Sequence, residues 1–276
     1  MQKLIYLLIL AIAIPILSFT HRPLTWVAIG DSITYLNDHP DETGNRVTKG
    51  YLSRVTEKLS YVQYINQGHN GWTSRKIADS IERLGIPRAD VYSIFLGTND
   101  WWQGHHVGFW KDYASGSGDT TIYGAFRMII DKIRRLNPDA SIVLITPLQR
   151  GDFVYINNAK NNAFGSYKDK DGQRLEQVVD AIRDIGEHEH FKVVDLYHDR
   201  HLSVSHTVRY KRLRDSATGE YRNYSYPDYT TIPFHPEVDE YPYPADAIGM
   251  TYDGLHPSDK GNAWIAKKLV KVLRKL

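Results

Sequence analysis

The apolar residues of this chain follow two alternating patterns. Short continuous runs occur at LTWVAIG (Leu24–Gly30), VQYIN (62–66), DVYSIFLG (90–97), SIVLIT (141–146) and FKVVDL (191–196). They are rich in β-branched and aromatic residues and end at Gly, Asn or another polar position, as strands buried on both faces do. Between them the spacing changes to three and four. Leu52, Val55 and Leu59 share one helical face, as do Ile77, Ile81 and Leu84 before Gly85. A helix from about Thr121 carries Phe126, Ile129, Ile130 and Ile133 and ends before Pro138. Another carries Leu175, Val178, Val179, Ile182 and Ile185. The last opens at Ser258 and carries Ile265, Leu269 and Val272.

Strand and helix alternate five times. That order predicts a five-stranded parallel sheet with helices on both faces, an α/β three-layer sandwich of flavodoxin-like type. One domain covers 21–276, with aromatic-rich insertions at about 101–118 and 202–250. In such sheets a ligand binds at the carboxyl ends of the strands. Four segments are expected there: GDSIT (30–34), NQGHNGWT (66–73), GTNDWW (97–102) and, after the fifth strand, DGLH (253–256).

Each segment alone is an ordinary turn. Together they hold the parts of an acyl-transfer site. Ser32 follows a strand and a glycine, so its hydroxyl can stand on a tight turn, but it needs a base before it attacks. His256 supplies an imidazole, whose protonation in acid is expected to stop activity. Asp253, three residues earlier, can hold its tautomer. Pro257 and Ser258 only punctuate the following helix. The backbone N–H groups of Ser32 and Gly71 and the Asn99 amide can serve as donors to an oxyanion, with Gly68 a competitor to Gly71. With these blocks in order, the sequence resembles the SGNH (GDSL-type) hydrolases: Gly30-Asp31-Ser32, Asn66 to Gly71, Gly97-Thr98-Asn99-Asp100 and Asp253-Gly254-Leu255-His256. The resemblance implies the SGNH hydrolase fold, with Ser32 as nucleophile, His256 as base, Asp253 as its partner, and Gly71 and Asn99 in the oxyanion hole.

Both insertions are aromatic. The first carries Trp101, Trp102, Phe109, Trp110 and Tyr113, and the second has seven Tyr from Tyr221 to Tyr252. Such content argues for ordered loops that shape a pocket, with most rings simply packing the loops down. Trp and Tyr faces suit sugar rings, so the expected substrate is a short-chain, acetyl-type ester on a carbohydrate, with Trp101 and Trp102 as candidate contacts. A lipid or thioester esterase, or a glycan-binding protein without turnover, remains an alternative.

Hydrophobic content of 42% and charged content of 24% allow an ordinary core, and a net charge of +2 gives no case for a nucleic-acid partner. VRYKRLRD (208–215) is a local basic cluster suited to an acidic glycan or to plain solvation. EHEH (187–190) places its two His off a common helical face, and HDRH (198–201) has ligand types without further partners. No metal or cofactor is expected, and no phosphate loop or dinucleotide fingerprint occurs. The apolar run from Leu4 to Phe19, broken by Pro15, reads as a secretory signal peptide within residues 1–20, or as an uncleaved anchor. The expected location is therefore secreted or periplasmic, with no stable membrane partner once the signal is removed. With no Cys there is no disulfide and no lipid-modified thiol.

Overall fold

The computed structural model describes residues 22–276; the signal or anchor segment lies outside them. Strand β1 (Leu24–Gly30) leads through the one-turn α1 (Ser32–Tyr35) to α2 (Tyr51–Lys58) and β2 (Val62–Gly68). Then come α3 (Ser74–Ser80), β3 (Val91–Phe95), the short α4 (Thr98–Trp102) and α5 (Trp110–Ser115), α6 (Ile122–Leu136) and β4 (Ser141–Ile145). A hairpin of β5 (Phe153–Tyr155) and β6 (Asn158–Ala163) precedes α7 (Leu175–His188) and β7 (Lys192–Val194). The short α8 (Val204–Thr207) and a second hairpin, β8 (Lys211–Arg214) with β9 (Tyr221–Tyr224), lead to α9 (Asp259–Leu273).

The five apolar runs form one sheet in the order β2-β1-β3-β4-β7, all parallel. Its two faces bury separate clusters. Ile77, Phe126, Ile129 and Ile182 from α3, α6 and α7 cover one face, and Leu52, Val55, Ile265 and Leu269 from α2 and α9 cover the other. This is why the strands are apolar on consecutive residues. It is the doubly wound three-layer sandwich that the alternation predicts.

Two elements are shorter than their patterns. Helix α3 ends at Ser80, because the N–H groups of Arg83 (2.8 Å) and Leu84 (3.1 Å) both turn onto the Ser80 carbonyl and the chain rounds a corner at Gly85, φ +62°. Strand β7 is only Lys192–Val194, because it pairs solely with β4 at the sheet edge. The β5–β6 hairpin has no counterpart in the hydrophobic pattern, since NAKNNA has only two alanines among polar residues and no apolar run.

Because the chain passes from β1 outward to β2 and then back across to β3, the crevice beyond their carboxyl ends is a topological switch point. Ser32 follows β1, and Asn99 follows β3.

Candidate active site

Helix α1 begins immediately after β1. Its N-cap is Asp31, whose Oδ1 accepts the Ile33 N–H at 2.9 Å. Ser32 therefore occupies the first helical position, with its backbone N–H among the unsatisfied donors of a helix start. Gly30 permits the turn, since a Cβ there would stand 2.0 Å from Thr34 Oγ1.

The last loop, from Thr251 to Pro257, is pinned at both ends. Thr251 bridges Pro257, and the Tyr252 N–H donates to the His256 carbonyl at 3.0 Å. Within it Asp253 is wholly buried. Its Oδ1 accepts the backbone N–H groups of Leu255 (3.0 Å) and His256 (2.8 Å), and its Oδ2 lies 2.7 Å from His256 Nδ1. A carboxylate there keeps the proton on Nδ1 and leaves Nε2 as an acceptor. Nε2 stands 2.9 Å from Ser32 Oγ, across 224 positions of sequence. Phe153 packs edge-on against the imidazole, ring centroids 5.4 Å apart, and Tyr252 lies nearly parallel to it at 5.9 Å.

A cleft of about 400 Å³ opens above Ser32 and His256, and Gly71 and Asn99 line it with them. Gly71 has φ +71°, and a Cβ there would meet nothing within 4 Å. Its glycine requirement is thus the left-handed backbone, not a crowded neighbour. Gly68 does not line the cleft and its N–H donates to Asn66 Oδ1 at 2.9 Å; a Cβ there would lie 2.2 Å from the Tyr35 backbone nitrogen, so it packs beneath α1. Asn99 Nδ2 donates one N–H to the Trp72 carbonyl at 3.0 Å, which anchors the amide and leaves its other N–H unused. The neighbouring Asp100, fully buried, accepts from Ser74 N–H and, at 2.6 Å, from Ser74 Oγ–H, tying the β3 and β2 loops together.

Burial pushes the Asp31 carboxyl up to about 7, against the Ile33 hydrogen bond and the nearby His256, which lower it. A larger hollow, about 760 Å³, opens at the opposite ends of the strands beside Thr25, Val91 and Ser141. It contains none of the groups above, so size does not identify the site.

The two tryptophans separate. Trp102 lines the cleft, whereas Trp101 is fully buried in the core with its indole N–H on the Gln173 carbonyl at 2.9 Å. Trp101 is therefore not a surface for substrate. The loop at 202–250 also stands behind the cleft: none of the cleft's lining residues comes from it. Tyr241 donates its hydroxyl to the Val154 carbonyl at 3.0 Å, and Tyr243 donates to that of Asp152, so both brace β5. His198 and His201 pair with different carboxylates, Asp195 at 2.8 Å and Asp199 at 3.1 Å.

The wall comes instead from the β5–β6 region, with Arg150, Phe153, Tyr155 and Asn161. Phe153-Val154-Tyr155 followed by Ile156-Asn157-Asn158 was the available hairpin signal. Nothing in the sequence distinguishes Arg150, yet it is 1% exposed, its guanidinium lies 5.5 Å and 5.4 Å from the rings of Trp101 and Trp102, and burial pulls it down to about 10.

The arrangement provides a hydroxyl, a base in contact with it, an oriented carboxylate, and donors across a cleft, which suits acyl transfer. Comparison with known proteins agrees. Residues 28–264 match the model of the GDSL-like lipase/acylhydrolase family. Among solved structures, a possible lipase from Chitinophaga pinensis DSM 2588 is 62% identical with a TM-score of 0.91, over 91% of this chain and 98% of that one. A protein from Lactobacillus plantarum is 22% identical with a TM-score of 0.62, over 92% and 98%. An acetyl xylan esterase shares the fold at 16% identity with a TM-score of 0.54, over 91% and 100%. No curated protein matches. With most of its length matched, the chain belongs to the GDSL-like lipase/acylhydrolase family and is a serine hydrolase of carboxylic esters.

Proposed function

We propose that this protein is a secreted esterase that removes short, acetyl-type acyl groups from a carbohydrate, with Ser32, His256 and Asp253 as its catalytic residues. The observation that carries the reading is the unbroken contact from Asp253 through His256 to Ser32, at 2.7 Å and 2.9 Å, opening onto one cleft. As Ser32 Oγ attacks the ester carbonyl, its proton passes to His256 Nε2, and Asp253 stabilises the imidazolium. The carbonyl oxygen takes the negative charge and receives hydrogen bonds from Ser32 N–H, Gly71 N–H and the free N–H of Asn99. Collapse expels the alcohol, which takes the proton from Nε2. Water, deprotonated by the same nitrogen, then attacks the acyl-serine and releases the acid.

The lining supports a hydroxylated alcohol. Asn70, Gln103 and Asn161 offer hydrogen bonds, while Trp102 and Tyr155 offer ring faces. A long acyl chain would leave those amides unpaired. The acetyl xylan esterase of like fold acts on such an ester, but that likeness is one of fold. The rival is a lipid esterase, consistent with the description of the Chitinophaga relative. Secretion rests on the apolar N-terminal run; among the described residues no helix is long and apolar enough to cross a membrane.

Hydrolysis of p-nitrophenyl acetate, butyrate and octanoate, beside acetate release from an acetylated oligosaccharide, tests the reading. We expect the acetyl substrates to lead in kcat/KM. A preference for octanoate with no release from the oligosaccharide would replace it with the lipid reading.

A further inference from the structure

Arg150 is a buried cation in the wall of the cleft that the ester chemistry leaves unused. Its side chain lines the cleft, yet Nε and Nη2 have no hydrogen-bond partner. The 23 ion pairs among the described residues include none with Arg150. Asp152, two residues on, is taken by Lys211 at 2.8 Å. Asp253 is engaged with His256 and two backbone N–H groups. A buried guanidinium without a partner is costly, and its place in a binding cleft gives that cost a purpose.

The two orphaned nitrogens specify the partner. Nε–H and the near N–H of Nη2 lie along one edge of the guanidinium and point in parallel. That edge matches the two oxygens of a carboxylate. Trp101 and Trp102 lie together on one side of the cation, with their own rings 6.0 Å apart. The backbone is equally fixed: Arg150 N–H donates to Ser166 Oγ at 3.1 Å, and its carbonyl accepts from Ser166 N–H at 2.9 Å.

Arg150 also stands on a definite side of the reaction. Gly151 N–H donates to the Gly254 carbonyl at 2.8 Å, Val154 N–H donates to the Asp253 carbonyl at 3.2 Å, and Phe153 touches the imidazole. The segment is therefore docked on the loop that carries the base. The base returns its proton to the leaving alcohol, so the alcohol half of the ester lies on that side. From these relations we infer that Arg150 binds a carboxylate on the alcohol half of the substrate, and that the sugar ester is one of an acidic sugar. This inference rests on the carbohydrate-esterase reading.

The test compares methyl O-acetylglucuronoside with methyl O-acetylglucoside, acetylated at the same position and differing only in carboxylate against hydroxymethyl. The wild-type enzyme should favour the acid by about 10-fold or more in kcat/KM, since a site built to bond a polar group rejects the analogue lacking it. Arg150→Lys should keep a remainder of that ratio, and Arg150→Met should bring it near one, whatever their absolute rates. A wild-type ratio near one, or a ratio unchanged in Arg150→Met, would overturn the inference. A measurement on wild-type protein alone guards against variants that do not fold: glucuronate should inhibit p-nitrophenyl acetate hydrolysis at lower concentration than glucose, and equal inhibition would count against the carboxylate site. If both sugar esters are cleaved in a Ser32-dependent way without preference, only this inference falls. If neither is cleaved while p-nitrophenyl acetate is, the carbohydrate reading falls with it.

Discussion

A Cβ on Gly254 would stand 1.9 Å from the carbonyl oxygen of Asp152. Gly254 separates Asp253 from the residues leading to His256, and it holds φ +90°. The two constraints have one origin: the loop that presents the base is pressed flat against the start of the β5–β6 hairpin. A side chain here must push the loop away from Ser32. Gly254→Ala should lower stability by about 2 kcal/mol or more, from strained backbone and overlap together. It should also reduce kcat through the distance from His256 to Ser32. Denaturant unfolding beside steady-state kinetics checks both; a variant as stable and active as wild type would show that the loop yields freely.

The oxyanion role of Asn99 makes a separate prediction. Asn99→Ala should lower kcat by about 10²- to 10³-fold while leaving KM nearly unchanged, because the donated bond strengthens only as the carbonyl oxygen becomes negative. A change confined to KM would assign Asn99 to substrate binding instead.

Asp31 predicts a pH dependence of stability. Its carboxyl is raised from 3.8 to about 7 by burial. Below the unfolded value both states hold the proton. Between the two values only the folded state holds it, so the contribution of Asp31 to stability falls as pH rises and is least above about 7. Asp31→Asn keeps an oxygen that can cap Ile33 and removes the buried charge. The stability of this variant relative to wild type should therefore rise from pH 5 to pH 8, by at most about 3 kcal/mol. Unfolding midpoints of both proteins at the two pH values measure it, and a difference that stays constant or shrinks would mean that Asp31 ionises freely in the fold.

The adjacent tryptophans should behave differently. Trp101→Phe leaves the Gln173 carbonyl without its indole donor and should cost about 1–3 kcal/mol of stability with little change in kcat/KM. Trp102→Ala should lower kcat/KM on a sugar ester several-fold with a smaller loss on p-nitrophenyl acetate. Equal kinetic effects at both positions would contradict the burial difference between them.

These contrasts mark where the sequence was readable. The inner strands β1, β3 and β4 announced themselves because both faces are buried, so their apolar runs need no period, while the edge strands β2 and β7 are only partly buried. The ends of β1 and β3 bring Ser32 and Asn99 to the crevice that a doubly wound sheet has at its switch point, whereas His256 arrives on a loop well beyond β7. Gly71 could be separated from Gly68 only in three dimensions: both are loop glycines in sequence, but one is crowded by Tyr35 and the other faces open space. Trp101 and Trp102 are consecutive on one helical turn and must point in different directions, yet composition cannot say which is inward. The hairpin that walls the cleft was hidden because β6 is polar on every exposed position and is held by β5, not by the core. Arg150 was invisible for a related reason, since an arginine in a loop is ordinarily solvated, and only packing reveals one buried beside two tryptophans.

The decisive measurement is the hydrolysis of p-nitrophenyl acetate by the wild-type protein and by Ser32→Ala, purified and shown to unfold at the same denaturant concentration. If Ser32 and His256 act together as their contact implies, kcat should fall by about 10³-fold or more in the variant. Equal rates in the two proteins would mean that ester cleavage does not pass through Ser32.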